Sequence, residues 1–195
     1  IGFLCQFGRL PTLSRLNARH NELTDLKGAL AGCTALTDLD LRNNKLPKVP
    51  PEMGGLTNLI RLALSYNSLN SLPSEMGELR KLRDFGIVGN HIKVPNQQVL
   101  EAGMDFVLEY LYSMGQAEEV GGESNGQLIL DGMAFTEFPQ EVLTLKTLTL
   151  LSICSNQIVD IPPQINHLVA LQKFYASDNR IKRLPDQFTS IFFYY

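Results

Sequence analysis

Histidine and cysteine are the residue types in this sequence that most often support catalysis or metal binding, and their spacing supports neither here. The six residues are His20, His91, His167, Cys5, Cys33 and Cys154. The histidines fall at different positions of the repeat described below, so they would not converge, and none has a second histidine or a cysteine at metal-ligand spacing. The cysteines are odd in number and lack CxxC spacing, which indicates reduced thiols. We therefore predict no catalytic residue, no metal site and no cofactor.

A second set of residues suits protein binding, because charged and tyrosine side chains recur in phase with an interval of 23 residues. Arg15, Asp38, Arg61 and Asp84 follow one another at this interval, and Lys173 shares their phase. Tyrosine and arginine are enriched in binding hot spots. The predicted partner-binding residues are Arg15, Arg19, His20, Asp38, Asp40, Arg42, Arg61, Tyr66, Asp84, Lys173 and Tyr175. The alternating charges have a second explanation, which is cross-strand pairing that keeps a solvated sheet soluble.

The same interval separates a series of asparagines, which are Asn21, Asn44, Asn67 and Asn90, followed in the same frame by Asn156 and Asn179. Six segments around them share the frame LxxLxLxxNxL, as in LTDLDLRNNKL and LTLLSICSNQI. Self-similarity at a period of this length is typical of repeat architectures. On these six segments the sequence resembles the leucine-rich repeat family, of the intracellular 23-residue type.

Each segment predicts one short strand of a stacked parallel sheet. Leu39 and Leu41 alternate with polar residues, which is the period expected of a strand with one buried face. Such a strand cannot bury that face alone, so the copies must stack into one sheet. The following halves, such as VPPEMGGL and IPPQINHL, begin with proline and suit a short helical or 3₁₀ segment. We therefore expect an α/β solenoid of horseshoe shape, with the parallel sheet on its concave face and the short segments on its convex face.

The pattern of the repeated asparagines predicts a structural role rather than a catalytic one, with the amides forming a ladder of hydrogen bonds along the repeats. Where the chain leaves each strand, backbone N–H and C=O groups lack partners, and an asparagine amide can serve both. One copy departs from the frame, because in LILDGMAFTEFP Met133 stands where asparagine is expected. A thioether cannot replace an amide. We therefore expect a locally weaker or water-filled turn at Met133.

An insert separates the fourth repeat from the fifth. Met133 follows Asn90 by 43 residues rather than 23, so 20 extra residues lie between these copies. We predict a first block over residues 1–95, with a half repeat and four repeats, an insert over residues 96–127, and a second block of three repeats over residues 128–195. We expect the two blocks to form one continuous solenoid.

The insert is acidic and begins with a predicted helix. It contains six acidic residues and no lysine or arginine, so it carries −6 while the rest of the chain sums to +3. Asn96 suits the N-cap, and the spacing of an amphipathic helix is followed by Leu100, Met104, Val107, Leu108 and Leu111. The acidic face opposite is either solvated or a docking stripe. After Tyr112 the glycine-rich sequence predicts a mobile acidic linker.

This helix carries a second resemblance, to the one that follows a block of repeats in leucine-rich-repeat-containing protein forty and related Ras-group scaffolds. Their pattern is Gly-Asn-Pro, a proline, an apolar helix, a glycine and Leu-x-Tyr-Leu. His91 stands in place of the first proline, and the matching residues are Pro95, Gly103, Leu108, Tyr110 and Leu111. The resemblance implies that the first block ends at this helix. It also implies partner binding without catalysis, with small GTPases or phosphatase subunits as partner classes.

Composition narrows the functional classes further. Apolar residues make up 44% and charged residues 19% of the 195 residues, which predicts a packed fold. A net charge of −3 argues against nucleic acid as a partner. No run approaches the roughly 18 apolar residues of a membrane helix, and no Asn-x-Ser/Thr site occurs, which favours a cytoplasmic location. Neither end carries the polar cap of a terminal repeat, so we expect a segment of a longer array.

These observations predict a non-enzymatic scaffold for protein–protein interaction in signalling, which binds a partner protein through its concave face. Two alternatives stay open at this point. The first alternative is that the chain is a targeting or regulatory segment of a larger signalling enzyme. The second is that it is a structural element buried in a large assembly.

Overall fold

The computed structural model describes residues 10–26, 28–118 and 126–186, and the chain divides into two units, Ile1–Tyr112 and Ser113–Tyr195. The partial repeats expected at the two ends lie outside the described residues, as do Cys5 and residues 119–125 of the predicted linker. None of the described helices has the length and hydropathy that crossing a membrane requires.

The sheet of the first unit contains four short parallel strands in chain order. These are β1 (Arg15–Asn17), β2 (Asp38–Asp40), β3 (Arg61–Ala63) and β4 (Asp84–Gly86). The register places Leu39 between Leu16 and Leu62, so equivalent residues of successive repeats are neighbours. Leu39 and Leu62 are completely buried. The inward leucines are therefore buried as predicted, but Asp40 and Ala63, at the outward positions that end β2 and β3, are buried too.

The second unit repeats this arrangement with three parallel strands. These are β5 (Gln127–Ile129), β6 (Leu150–Ser152) and β7 (Lys173–Tyr175). Leu128 and Leu151 pair in register and are completely buried. The expectation of one continuous sheet is wrong for the described residues, because the chain leaves β4 into the insert and β5 starts a separate sheet. That both blocks form one solenoid stays a prediction.

The asparagine of each repeat holds that repeat against the preceding one. Asn67 Nδ2 donates to the carbonyl oxygens of Leu64 and Leu41, each at 3.0 Å, and its Oδ1 accepts from the Leu46 N–H at 3.1 Å. The same three hydrogen bonds recur at Asn44, Asn90, Asn156 and Asn179. Each such amide therefore bridges two repeats.

Asn21 differs from the other ladder residues. Its side chain is exposed, and among the described residues its Nδ2 donates to carbonyl oxygens of its own turn alone, those of Ala18 and Arg19. Asn21 thus stabilises one turn and bridges no pair of described repeats.

The segments opposite the sheets are 3₁₀ helices, as the proline spacing predicts. They span Pro51–Gly55, Ser74–Glu78, Gln140–Thr144 and Pro163–His167. Two glycines at equivalent positions make the closest contacts. A Cβ atom on Gly54 would overlap the Glu75 backbone of the next segment, and a Cβ atom on Gly77 would overlap the backbone of Tyr112. Both positions therefore require glycine for close backbone packing.

The predicted single helix of the insert is wrong, because two helices are present. Asn96 caps α1 (Gln97–Glu101) by accepting the Val99 N–H at 3.1 Å. The chain then turns at Gly103, whose φ of +105° is open to glycine alone, before α2 (Met104–Glu118) begins. The break changes the phase of the apolar face, so Leu100 and Met104 are half-buried rather than in the core.

Helix α2 covers the end of the first block and runs further than predicted. Tyr110 and Leu111 are buried, and α2 extends six residues beyond Tyr112 to Glu118. The mobile linker predicted to start after Tyr112 is therefore helical over its first part, because Met114 and Ala117 continue the apolar spacing and are buried. Glu101, Asp105 and Glu109 are exposed as expected.

Met133 is buried in its turn, and the weaker or water-filled turn expected there stays a prediction. The Met133 side chain is 7% exposed and occupies the place of the missing asparagine. The backbone of this turn differs from that of the other repeats at Ala134, which has a left-handed φ of +53° directly after Met133. Asn156 of the following repeat still donates to the Leu130 carbonyl oxygen at 2.9 Å, so this repeat is bridged from one side.

Candidate partner-binding site

The outward side of the first-unit sheet carries an open cavity of about 280 Å³. The direct cross-strand pairing of Arg15 with Asp38, and of Asp38 with Arg61, places these side chains side by side. The lining residues are Arg15, Leu16, Asn17, Arg19, Asp38, Asp40, Arg42 and Arg61. Six of the eleven residues predicted to bind a partner therefore line this cavity.

Asp40 lines the cavity and holds Arg42 in place. Its carboxylate accepts from Arg42 Nε at 2.9 Å and from Arg42 Nη2 at 2.7 Å, and it also accepts the Arg42 backbone N–H. The Asp40 side chain is only 8% exposed. Asp40 therefore lines the cavity with little exposed surface, and its direct contact with a partner stays a prediction. Asp40 positions Arg42.

These hydrogen bonds change the pKa values of both groups. The side-chain bond from Arg42 holds the pKa of Asp40 below its ordinary value, against the opposing effect of burial. The same bond raises the pKa of Arg42. The pair is therefore ionised at neutral pH and fixes one guanidinium at the cavity.

The lowered pKa of Asp40 predicts a specific loss of stability in acid. A carboxylate whose pKa is depressed by folding stabilises the fold above its unfolded pKa of about 3.9, and this contribution disappears as the pH falls through the folded pKa. We expect Asp40→Asn to reduce the free energy of unfolding at pH 7 and to flatten its decline below about pH 4. Urea denaturation at a series of pH values measures this.

The control for that experiment is Glu52→Gln, which removes an exposed carboxylate from the 3₁₀ helix Pro51–Gly55. It should leave the acid decline of stability as in the wild type. If Asp40→Asn and the wild type lose stability in parallel as the pH falls, the pair does not contribute as proposed.

Arg61 lies between two carboxylates of neighbouring strands. Its Nε is 3.1 Å from Asp84 Oδ2, and its Nη1 is 3.9 Å from Asp38 Oδ2. All three side chains are partly exposed, so the pairs are solvent-screened and orient the arginine more than they stabilise the fold. Asp84 thus joins the cavity residues through Arg61.

Arg15 and Arg19 are the exposed cations of the cavity. Among the described residues, no ion pair is formed by either guanidinium, although the Arg19 backbone N–H donates to Asn17 Oδ1 at 3.2 Å. The positive charge of Arg19 contributes to lowering the pKa of Asp40. These two side chains are therefore available to a negatively charged partner group.

Tyr66 forms an exposed aromatic surface near the last strand of this sheet. Its side chain is 59% exposed, and its ring lies so close to Gly89 that a Cβ atom there would be 2.5 Å from Tyr66 Cδ1. Tyr66 has a φ of +57°, which bulky residues rarely adopt. The position just before the ladder residue is left-handed in every repeat, and His20, Asn43, Ser155 and Asp178 occupy it elsewhere.

The remaining predicted site residues lie in the second unit. Lys173 and Tyr175 are exposed on β7 and pair in register with Leu150 and Ser152. The column predicted to run from Arg15 to Lys173 is therefore divided between two sheets, because the insert interrupts it. The structure brings the four first-block members of that column together on neighbouring strands and leaves Lys173 in the other sheet.

Cys154 belongs to a small polar group on the second sheet. Ser152 Oγ donates to Asp131 Oδ1 at 2.7 Å and lies 3.5 Å from Cys154 Sγ, and the Cys154 N–H donates to the same Asp131 oxygen at 2.7 Å. The group orders the strand end. Cys33, by contrast, is buried, and burial raises the pKa of its thiol.

Metal-ligand geometry is absent from the described part of the chain, where no three histidine, cysteine or acidic side chains cluster.

Leu16 and Asn17 are cavity residues that sequence reasoning missed. Asn17 pairs with Asp40 in the register, so an offset of 23 residues from Asp40 would have found it.

Comparison with known proteins agrees with this architecture. Residues 11–51 match the leucine-rich repeat family, in a form described as two copies. No curated protein sequence matches the chain. Among solved structures, a leucine-rich repeat protein of Leptospira interrogans is 31% identical over 95% of this chain and 42% of its own, with a TM-score of 0.47.

Two further structures are more distant. An internalin from Listeria monocytogenes is 21% identical over 97% of this chain and 48% of its own, with a TM-score of 0.43. A plant peptide hormone receptor in complex with RGF2 is 20% identical over 94% of this chain and 24% of its own, with a TM-score of 0.41. The chain spans less than half the length of each. The family match covers residues 11–51, and the strand register and the asparagine ladder give the described residues the leucine-rich repeat fold.

Proposed function

We propose that this chain is a protein–protein interaction module that binds a partner protein through the outward face of its first sheet. The observation that carries the proposal is the set of arginines on that face. Arg42 is fixed by the buried Asp40, and Arg61 is oriented by Asp38 and Asp84. A surface that is ordered before binding loses less conformational entropy on association.

The chemistry of the cavity favours a macromolecule over a small ligand. Small-molecule sites are mostly apolar and measure about 300–1,000 Å³, whereas this cavity is open, smaller and lined mainly by charged side chains. Repeat solenoids present extended surfaces to their partners. Tyr66 lies on the same block and supplies an aromatic group of the type enriched in hot spots.

The finer parts of the proposal rest on sequence resemblance. We propose a cytoplasmic, non-catalytic scaffold in signalling, similar to leucine-rich-repeat-containing protein forty and the Ras-group scaffolds, with a small GTPase or a phosphatase subunit as partner. Lys173 and Tyr175 are proposed as a second contact region. The alternative is a targeting or regulatory segment of a larger signalling enzyme, which a catalytic domain encoded beside this chain would favour.

Replacing Tyr66 by asparagine tests the proposed surface. Asparagine tolerates the left-handed backbone, as Asn43 does one repeat earlier, so the fold should persist while the aromatic contact is lost. We expect capture of the partner from a cell lysate to fall about tenfold or more, as for a hot-spot tyrosine. Quantitative mass spectrometry of the captured proteins, with equal amounts of folded bait, measures this.

The matched control is Val169→Asn, which removes an apolar side chain that is 79% exposed and lies outside the strands. It should capture the same proteins as the wild type. Equal recovery by Tyr66→Asn, by Val169→Asn and by the wild type would show that this face does not bind the captured partners.

A further inference from the structure

We propose that the cavity on the first sheet receives side-chain carboxylates from an acidic segment of the partner protein. This inference rests on the proposed function and names the chemistry of the partner group. It concerns the residues that line the cavity and the aspartates that orient its arginines, which are Asp38, Asp40 and Asp84.

The cavity carries an excess of positive charge. Four arginines and two aspartates line it, and Asp84 pairs with Arg61 beside it, so the whole group has a formal charge of +1. Asp40 is bound to Arg42 through both carboxylate oxygens. Asp38 shares Arg61 with Asp84. The excess positive charge is therefore located at Arg15 and Arg19, which form no ion pair with the described residues.

The arginines of the cavity have the donor geometry that binds a carboxylate. A guanidinium presents parallel N–H donors that match the two oxygens of a carboxylate. Arg15 is exposed on β1 and Arg19 is exposed on the turn that follows β1. Neither is held by an ion pair with a described residue, whereas Arg42 is held against Asp40 in a neutral pair.

The charge of the cavity favours a carboxylate over a phosphate as the bound group. A phosphate monoester carries about −1.5 to −2 at neutral pH and would lie beside Asp38 and Asp40, whose negative charges oppose it. A carboxylate carries a single charge and pairs one-to-one with a guanidinium. The overall charge of −3 also disfavours a polyphosphate backbone. The cavity therefore fits an acidic protein segment best.

The test uses the full chain and three fluorescent peptides of equal length. The first alternates glutamate with glycine, the second carries glutamine in place of each glutamate, and the third carries phosphoserine. We expect the glutamate peptide to bind in fluorescence anisotropy, the glutamine peptide not to bind, and the affinity to fall with added salt because the pairs are solvent-accessible.

The variant is the pair Arg15→Gln and Arg19→Gln, which should weaken the glutamate peptide about tenfold, as expected for two charge-assisted contacts. The control is the pair Lys48→Gln and Lys93→Gln, which removes the same charge from exposed residues outside the cavity and should leave affinity unchanged. Thermal melting of both variants verifies that folding is intact.

Three results overturn the inference. One is equal binding of the glutamate and glutamine peptides, another is equal weakening by the two pairs of substitutions, and the third is binding of the phosphoserine peptide alone. A failure of peptide binding while Tyr66→Asn still abolishes capture would reject the acidic partner and leave the proposed function standing. Peptide binding that depends on Arg15 and Arg19, without any capture that depends on Tyr66, would support the acidic ligand and reject the proposed function as tested by Tyr66→Asn.

Discussion

Replacing Asn67 by alanine is expected to lower the free energy of unfolding by about 3 kcal/mol, a large effect for one side chain. Asn67 is buried and makes three hydrogen bonds to backbone groups of two repeats. The Leu41 and Leu64 carbonyl oxygens keep a second donor, from Asn44 and Asn90 respectively. The Leu46 N–H loses the asparagine acceptor, and a buried unpaired N–H costs about 1–3 kcal/mol.

The remaining loss comes from the space left by the amide and from the weakened carbonyl contacts. Chemical denaturation measures the free energy, with Asn21→Ala as the control, since Asn21 is exposed and, in the described part of the chain, bonds only within its own turn. We expect less than about 1 kcal/mol for Asn21→Ala. Similar losses for the two variants would contradict the bridging role assigned to the buried amide.

Gly77→Ala is expected to destabilise the protein by about 3 kcal/mol, because the added methyl group has no space. A Cβ atom there overlaps the backbone N and Cα atoms of Tyr112 on α2, and backbone cannot move aside as a flexible side chain can. The helix would have to shift, which also disturbs the Arg80–Glu109 ion pair at 3.0 Å and the stacking of Arg80 on the Tyr112 ring.

The control is Gly55→Ala in the preceding 3₁₀ segment, where an added Cβ atom meets nothing within 4 Å. It should be neutral or slightly stabilising, because alanine reduces the entropy of the unfolded chain. Thermal and chemical denaturation report both variants. If Gly77→Ala is as stable as Gly55→Ala, α2 does not pack on the first block as closely as described.

The repeat architecture follows from the sequence because its determinants are local and periodic. The interval between Asn44 and Asn67 fixes which residues become neighbours across the sheet, and proline marks the start of the 3₁₀ segments at Pro51 and Pro163. Asn96 carries a recognisable N-cap pattern that the structure contains. Each of these depends on residues close in sequence or one period apart.

The features that sequence reasoning missed depend on contacts between distant residues. Gly77 looks like an ordinary turn glycine until α2 is known to lie against it. The extension of α2 to Glu118 depends on burial of Met114 and Ala117, which their glycine-rich surroundings conceal. Asp40 occupies an outward strand position, yet its carboxylate is bound to Arg42 and has little exposed surface. Local periodicity contains none of this information.

The cavity was only partly predictable for the same reason. The phase of Arg15, Asp38 and Arg61 identified a row of charges, but the row does not reveal which arginines are already paired. That distinction decides which side chains remain for a partner. It depends on side-chain rotamers and on hydrogen bonds that no spacing rule specifies.

The shared amides also determine how such a chain can change in length. Each bridge joins one repeat to its predecessor by the same two hydrogen bonds and is anchored in its own repeat by a third, so the junctions that a buried asparagine makes are chemically equivalent. Removing or duplicating one whole period would restore an equivalent junction, whereas a cut inside a period would leave polar backbone exposed to apolar surroundings. The acidic insert follows Asn90, whose bonds all reach backwards or within its own turn, and so it enters where no junction has to be broken.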